Sequence, residues 1–128
     1  IQQYGNTQKL FNTAEAYGAD YVLAPAMQVY NFEVLREKLQ QFMALVDVLY
    51  VSVDMDVFAA AYAPGVSAPS ALGIHPEIAL ILLQEIISSG KLLSLDVVEL
   101  NPALDMDNHT AKLAASLLYH VVQQWSQV

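Results

Sequence analysis

The hydrophobic positions in the middle of the chain predict a helix followed by a strand. Apolar residues between positions 32 and 46 recur at intervals of three and four, which predicts an amphipathic helix that ends before Asp47. Residues 48–53 then form a largely apolar run. Such a run is typical of a strand that is buried on both faces, as in a parallel sheet.

A second helix and a second strand follow. Pro76 and Gly90 stand where the first turn and the end of a helix are expected, because proline favours the first helical position and glycine the position after the last. Residues 92–98 predict another buried strand. Thr110 then begins a last amphipathic helix that ends near Trp125.

The remaining segments are shorter or contain helix breakers. Asn6 or Thr7 can cap an amino-terminal helix that stops at Gly18, and a short strand is predicted at 21–23. Residues 56–73 contain two prolines and two glycines, so a loop is predicted there. This loop is either an ordered active-site loop or disordered.

The order of these elements predicts an α/β fold. Strands that alternate with helices form parallel sheets with helices packed on them. In such sheets ligands bind at the carboxyl ends of the strands. Asp54 and Asp56 follow one strand and Glu99 follows the next, so we expect the three carboxylates to face a common crevice.

The pair Asp54 and Asp56 is the main candidate for chemistry. In an extended chain, side chains two positions apart point to the same side. Two like charges held close together raise one pKa unless a cation offsets the repulsion. Carboxylate oxygens suit hard ions such as Mg²⁺ or Mn²⁺. The alternative is a solvated junction between a strand and a loop.

Composition narrows the possible partners. The chain has 128 residues, a net charge of −8 and no cysteine. The negative charge argues against a nucleic-acid partner, and without cysteine there is neither a disulfide nor a thiolate nucleophile. No apolar run approaches the roughly 20 residues of a membrane helix. The hydrophobic fraction of 55% is above the usual ~45–50%, which indicates either a strongly buried α/β core or, if the chain is part of a longer domain, exposed apolar patches.

The spacing of residues after the aspartate pair resembles the ureohydrolase family, which includes arginase and agmatinase. Asp56 is followed by Ala60, by Pro64-Gly65 and by Gly73 at that family's intervals. The segment 95–102, with the sequence LDVVELNP, is similar to the family's later strand with its substrate-facing glutamate. The resemblance implies an arginase-like three-layer α-β-α fold with a parallel sheet.

One branch of the family fits the loop best. Arginases and agmatinases usually have Pro-Gly-Thr-Gly-Thr-Pro, and an acidic residue three positions after the second aspartate. This chain has PGVSAP at 64–69 and Ala59, which resembles formimidoylglutamase. The resemblance implies hydrolysis of N-formimidoyl-L-glutamate to L-glutamate and formamide in histidine degradation, with an agmatinase- or arginase-type guanidine hydrolase as the alternative.

The same resemblance assigns the site residues. Asp54 and Asp56 supply two of six ligands of a two-manganese cluster, and Glu99 accepts hydrogen bonds from the cationic amidine. Ser67 and His75 are further candidates for substrate binding, although His75 can instead begin a helix. A small-molecule substrate, a cytoplasmic location and a homo-oligomeric full-length protein are also implied.

Residues 1–128 are expected to be the carboxyl-terminal part of a single ureohydrolase domain. Ureohydrolases are about twice this length or more, and their upstream histidine and Asp-x-His-x-Asp ligands have no counterpart here. We therefore expect the chain alone to be inactive. Two other classes stay open: a haloacid-dehalogenase-type phosphatase with Asp54 as nucleophile, and a noncatalytic fragment that binds no metal.

Overall fold

Two parallel strands form the centre of the structure. The computed structural model describes Ile1, Gln3 and residues 5–125. Strand β1 (Leu49–Asp54) pairs in parallel with β2 (Leu92–Val98). Leu49 pairs with Leu92 but Tyr50 pairs with Ser94, so Leu93 is an extra residue that bulges from the pair.

The described residues contain four α-helices, and those that contribute to the core cover one face of the two strands. Residues 56–75 and the third helix connect β1 to β2, which gives the long connection that parallel strands need. Thr7 caps the first helix, since its Oγ1 accepts from the N–H of Leu10 at 3.4 Å. Gly18 and Gly90 follow helix ends with φ of 68° and 69°, where glycine is not strained. The helices are α1 (Gln8–Ala16), α2 (Phe32–Ala44), α3 (Pro76–Ser88) and α4 (His109–Trp125).

The hydrophobic core lies between one face of the sheet and the helices. Val51, Val53 and Leu95 pack against a cluster of buried side chains from the loop, α3 and α4. The opposite face of the sheet is polar and exposed: Tyr50 is 65% exposed, and its hydroxyl donates to the Asp96 carboxylate. The buried core residues include Met55, Phe58, Ala63, Val66, Ile78, Ile87, Leu117 and Val121.

Several large apolar side chains are exposed. Tyr119 and Val122 on α4 are 68% and 59% exposed, and Leu45 after α2 is 83% exposed. Among the described residues, no helix is both long and apolar enough to cross a membrane.

Two predictions of secondary structure need correction. Residues 21–23 form no strand. Among the described residues, Ile1 alone pairs with this segment: its N–H donates to the Val22 carbonyl at 2.6 Å, and its carbonyl oxygen accepts from the Ala24 N–H at 2.9 Å. A short 3-10 turn, Ala24–Ala26, follows. The first strand also extends to Asp54, one residue beyond the predicted end.

Candidate active site at the carboxyl ends of the strands

Asp54 ends β1 and begins a tight turn that carries Asp56. Residues Met55–Val57 form a single 3-10 turn, and Asp54 Oδ1 accepts a hydrogen bond from the Asp56 N–H at 3.1 Å. The side chain of Met55 is fully buried and anchors the turn in the core. The expectation of an extended Asp-x-Asp segment is thus wrong in its geometry, since the turn, rather than strand alternation, positions Asp56.

Asp54 and Glu99 both act on the Asp56 carboxyl at this edge. The pKa of the Asp56 carboxyl is raised to about 6, first by burial, then by the charge and hydrogen bond of Asp54, and also by the charge of Glu99. The Glu99 carboxylate is therefore close enough to raise the pKa of Asp56, although the two residues follow different strands. A bound cation would offset this repulsion.

The aspartate pair lines a cleft. The cleft has a volume of about 410 Å³. Its walls come from the amino-terminal segment, from the residues after β1 and from the loop before α3. Its described lining residues are Ile1, Gly5, Asn6, Ala24, Asp54, Asp56, Val57, Ala68 and Ser70.

Glu99 is held in an unusual backbone conformation. It directly follows β2, its side chain lies in an exposed position, and its φ is 66°. A non-glycine residue in this region is strained and often lies at a functional site. The next residues hold it in place, since Leu100 pairs with Val66 and Asn101 N–H donates to Gly65 O at 2.8 Å.

The loop between β1 and α3 is ordered by backbone pairing. Phe58 pairs with Ile74 and Ala59 with Ser70, and the ring of Phe58 is fully buried. Gly73 packs so closely against the backbone of Phe58 and Ala59 that a Cβ atom at position 73 would overlap it. Of the two expectations for this segment, the ordered loop is the one observed.

A buried threonine ties the loop to α4. Thr110 has no exposed surface, and its Oγ1 accepts from the Gly65 N–H at 2.7 Å. The Asp105 carboxylate caps the same helix by accepting from the N–H groups of Thr110 and Ala111 at 2.8 and 2.9 Å. Burial alone would raise the pKa of Asp105, but these donors outweigh it and the pKa is lowered.

Glu99, Ser67 and His75 are not among the described residues that line the cleft, so the expected common crevice for the three carboxylates holds only for Asp54 and Asp56. Ser67 is exposed. His75 caps α3, where its Nδ1 accepts from the Glu77 N–H at 3.2 Å and its ring meets the edge of Tyr62 at 4.8 Å between centroids. The residues that reach the cleft instead, Asn6 and Ser70, were missed from sequence, because only tertiary contacts bring them beside Asp54.

The residues present suit a divalent metal but do not complete a site. Asp54 and Asp56 offer oxygen donors, which hard cations prefer, and their mutual repulsion favours a cation. In the part of the chain that the structure describes, no group of three or more His, Asp or Glu is placed to hold a metal ion. Further ligands would have to come from elsewhere.

The fold and the site define a class: an α/β protein with a carboxylate cluster at the carboxyl ends of parallel strands. The chain belongs to the arginase family, whose model matches residues 1–123. The predicted family and its arginase-like α/β fold with a parallel sheet are therefore confirmed.

Individual relatives agree with this result. A formimidoylglutamase of Staphylococcus aureus (strain JH9) is 41% identical over 123 residues, which are 96% of this chain and 40% of that protein. The chain thus spans about 40% of the length of the curated relatives it matches.

Solved structures show the same fold. The formimidoylglutamase from Bacillus subtilis has a TM-score of 0.89 at 24% identity, over 97% of this chain and 39% of that one. Arginase from Bacillus subtilis gives 0.81 at 22% identity, over 91% and 41%. Agmatine ureohydrolase of Thermoplasma volcanium gives 0.78 at 22% identity, over 94% and 39%.

Proposed function

We propose that residues 1–128 are the carboxyl-terminal part of a ureohydrolase domain, and that the complete protein hydrolyses N-formimidoyl-L-glutamate in histidine degradation. The observation that carries the proposal is the shared electrostatic environment of Asp54, Asp56 and Glu99 at the ends of two parallel strands. The substrate is supported by the 41% identity to a curated formimidoylglutamase.

The proposed reaction consumes one water molecule. The bond between the formimidoyl carbon and the glutamate nitrogen breaks, the water oxygen stays on the carbon as formamide, and both water protons end on the departing nitrogen, which leaves as the ammonium group of L-glutamate. Two manganese ions, when bound, would supply Lewis-acid activation of water near neutral pH. We assign Asp54 and Asp56 as two of their ligands.

Glu99 is assigned to the substrate. An amidine is cationic near neutral pH and presents N–H donors, so a carboxylate beside it forms a charge-assisted hydrogen bond. Glu99 is exposed at the strand end, and its backbone is fixed by the pairing of Leu100 and Asn101 with the loop. Its role would be to orient the amidine for attack.

Ser67 and His75 stay candidates for substrate binding; like Glu99, neither is among the described residues that line the cleft with the aspartates, and unlike Glu99 neither has a charge that acts on Asp56. A homo-oligomer and a cytoplasmic location of the complete protein are proposed from the family resemblance. Membership of the arginase family argues against the phosphatase alternative.

The test is a manganese-dependent assay of formamide release by the longest gene product that carries this sequence. Asp54→Asn and Asp56→Asn should each lower kcat/KM by about 100-fold or more, since even partners outside the ligand shell cost ~10–100-fold. Asp47→Asn, an exposed acid before β1, is the matched control and should change little. Preference for arginine or agmatine would replace the substrate, whereas equal effects of all three variants would refute the site.

A further inference from the structure

Gly65 connects the beginning of α4 to the residues that follow Glu99. Its N–H donates to the Thr110 Oγ1 at 2.7 Å, and its carbonyl oxygen accepts from the Asn101 N–H at 2.8 Å. We call these two hydrogen bonds the Gly65 clamp. Because a single residue makes both bonds, the position of the Thr110 hydroxyl is linked directly to the position of the backbone two residues after Glu99.

The Thr110 hydroxyl is itself fixed by two partners. It accepts from Gly65, and it also forms a side-chain hydrogen bond with Asp105, to which it donates because an ionised carboxylate only accepts. Thr110 has no exposed surface, so bulk water does not compete for either bond. A Cβ atom at position 65 would overlap the Asp105 side chain. The Gly65 clamp therefore needs both the hydroxyl at position 110 and a glycine at position 65.

The backbone of Glu99 needs support of this kind. Its φ is 66°, and a non-glycine residue stays in this region only where the surrounding structure holds it. Before Glu99 the chain belongs to β2, which ends at Val98. After Glu99 the chain is attached to the loop by the pairing of Leu100 with Val66 and by the Gly65 clamp at Asn101. The clamp thus supports the side of Glu99 that lies outside the strand.

We propose that Thr110 is a positioning residue for Glu99. Its hydroxyl, acting through Gly65 and Asn101, holds the Glu99 carboxylate in the orientation that binds the amidine. This inference rests on the proposed function, because the amidine is the group that Glu99 is assigned to orient. Thr110 touches no substrate in this assignment, so the loss of its hydroxyl should reduce activity only as far as Glu99 contributes to it.

The test is a double-mutant cycle between positions 110 and 99 in the longest gene product that carries this sequence, loaded with manganese and assayed for formamide release. Thr110→Val replaces the hydroxyl by a methyl group. Thr110→Ser and Thr110→Ala form a second pair that differs only in the hydroxyl, so the comparison survives if the valine variant fails to fold. Glu99→Gln keeps the size of the side chain and removes its charge. Ile87→Val, at a buried position on α3, is the control for a general loss of stability.

We expect Thr110→Val and Thr110→Ala to lower kcat/KM by about 10-fold and Thr110→Ser by less than about 3-fold, since a small misplacement of an orienting group can cost roughly 100-fold. Glu99→Gln alone should lower kcat/KM by about 10- to 100-fold. In the Glu99→Gln background, the changes at position 110 should alter kcat/KM by less than about 2-fold. Hydrogen exchange of the Asn101 amide should be faster in the valine and alanine variants, whereas Thr110→Ser and Ile87→Val should leave it near the wild-type rate.

Three results would contradict the proposal in distinguishable ways. An equal loss of kcat/KM in both Glu99 backgrounds, or an unchanged Asn101 exchange rate in Thr110→Val and Thr110→Ala, would overturn the positioning role alone. A fully active Glu99→Gln protein would overturn the role of Glu99 and this inference, while the substrate stays as proposed. Absence of formamide release by the wild-type protein would overturn the proposed function and this inference together.

Discussion

The hydrogen bond between Thr110 and Gly65 gives a quantitative prediction. Thr110→Val replaces the buried Oγ1 by a methyl group and leaves the Gly65 N–H without its acceptor, 2.7 Å away in the wild type. An unsatisfied buried N–H costs ~1–3 kcal/mol, and burying the added methyl returns about 0.8 kcal/mol. The expected net loss in the free energy of unfolding is therefore about 0.2–2 kcal/mol.

Urea unfolding of the chain and amide hydrogen exchange at Gly65 measure this loss and locate it. Thr110→Ser is the matched control, because it keeps the hydroxyl and removes only the methyl. We expect the Gly65 amide to stay protected in the serine variant and to lose protection in the valine variant. Equal Gly65 protection in valine and wild-type proteins would refute the role given to this hydrogen bond.

Two further predictions concern the loop and the α4 cap. Gly73→Ala should lower the unfolding temperature and weaken the hydrogen-exchange protection of the 58–74 loop, since the new Cβ overlaps the backbone of Phe58 and Ala59. The control Gly18→Ala, where nothing lies within 4 Å of the new Cβ, should lower the free energy of unfolding only by the ~1 kcal/mol that its positive φ costs. An equal loss of stability in both variants would contradict the packing argument. Asp105 has a lowered pKa in the folded chain, so its stabilisation is present above the ordinary value of 3.8 and is lost as pH falls through the lower, folded value. The urea concentration at the unfolding midpoint should therefore fall less steeply between pH 5 and pH 2 in Asp105→Asn than in the wild-type protein. Parallel pH curves for the two proteins would exclude a contribution of the Asp105 carboxylate to stability.

Sequence patterns predicted those parts of the fold that depend on neighbours along the chain. The observed β2 has the predicted bounds, and α3 begins at Pro76 as its local signals indicate. The strand predicted at residues 21–23 is not observed, because a strand needs a neighbouring strand and among the described residues this segment pairs with Ile1 alone. Local propensity does not reveal where such a partner lies.

The residues of the candidate site also differ in whether the sequence alone could identify them. Asp54 and Glu99 were found because each directly follows a predicted strand, and strand ends are common ligand sites. Asn6 and Ser70 lie in segments with no regular element, and they meet the aspartates only in three dimensions. A capped turn also replaced the extended geometry expected at Asp56, since the Asp54 side chain competes for the backbone N–H.

The positive φ of Glu99 creates a trade-off between stability and activity for any effort to engineer this chain. Glycine or asparagine would relieve a backbone cost on the order of 1 kcal/mol at this position, so a selection for thermal resistance alone should favour them. Either change removes the carboxylate assigned to the amidine. Stabilised libraries of this protein should therefore be screened for turnover at position 99 before their consensus residue is adopted.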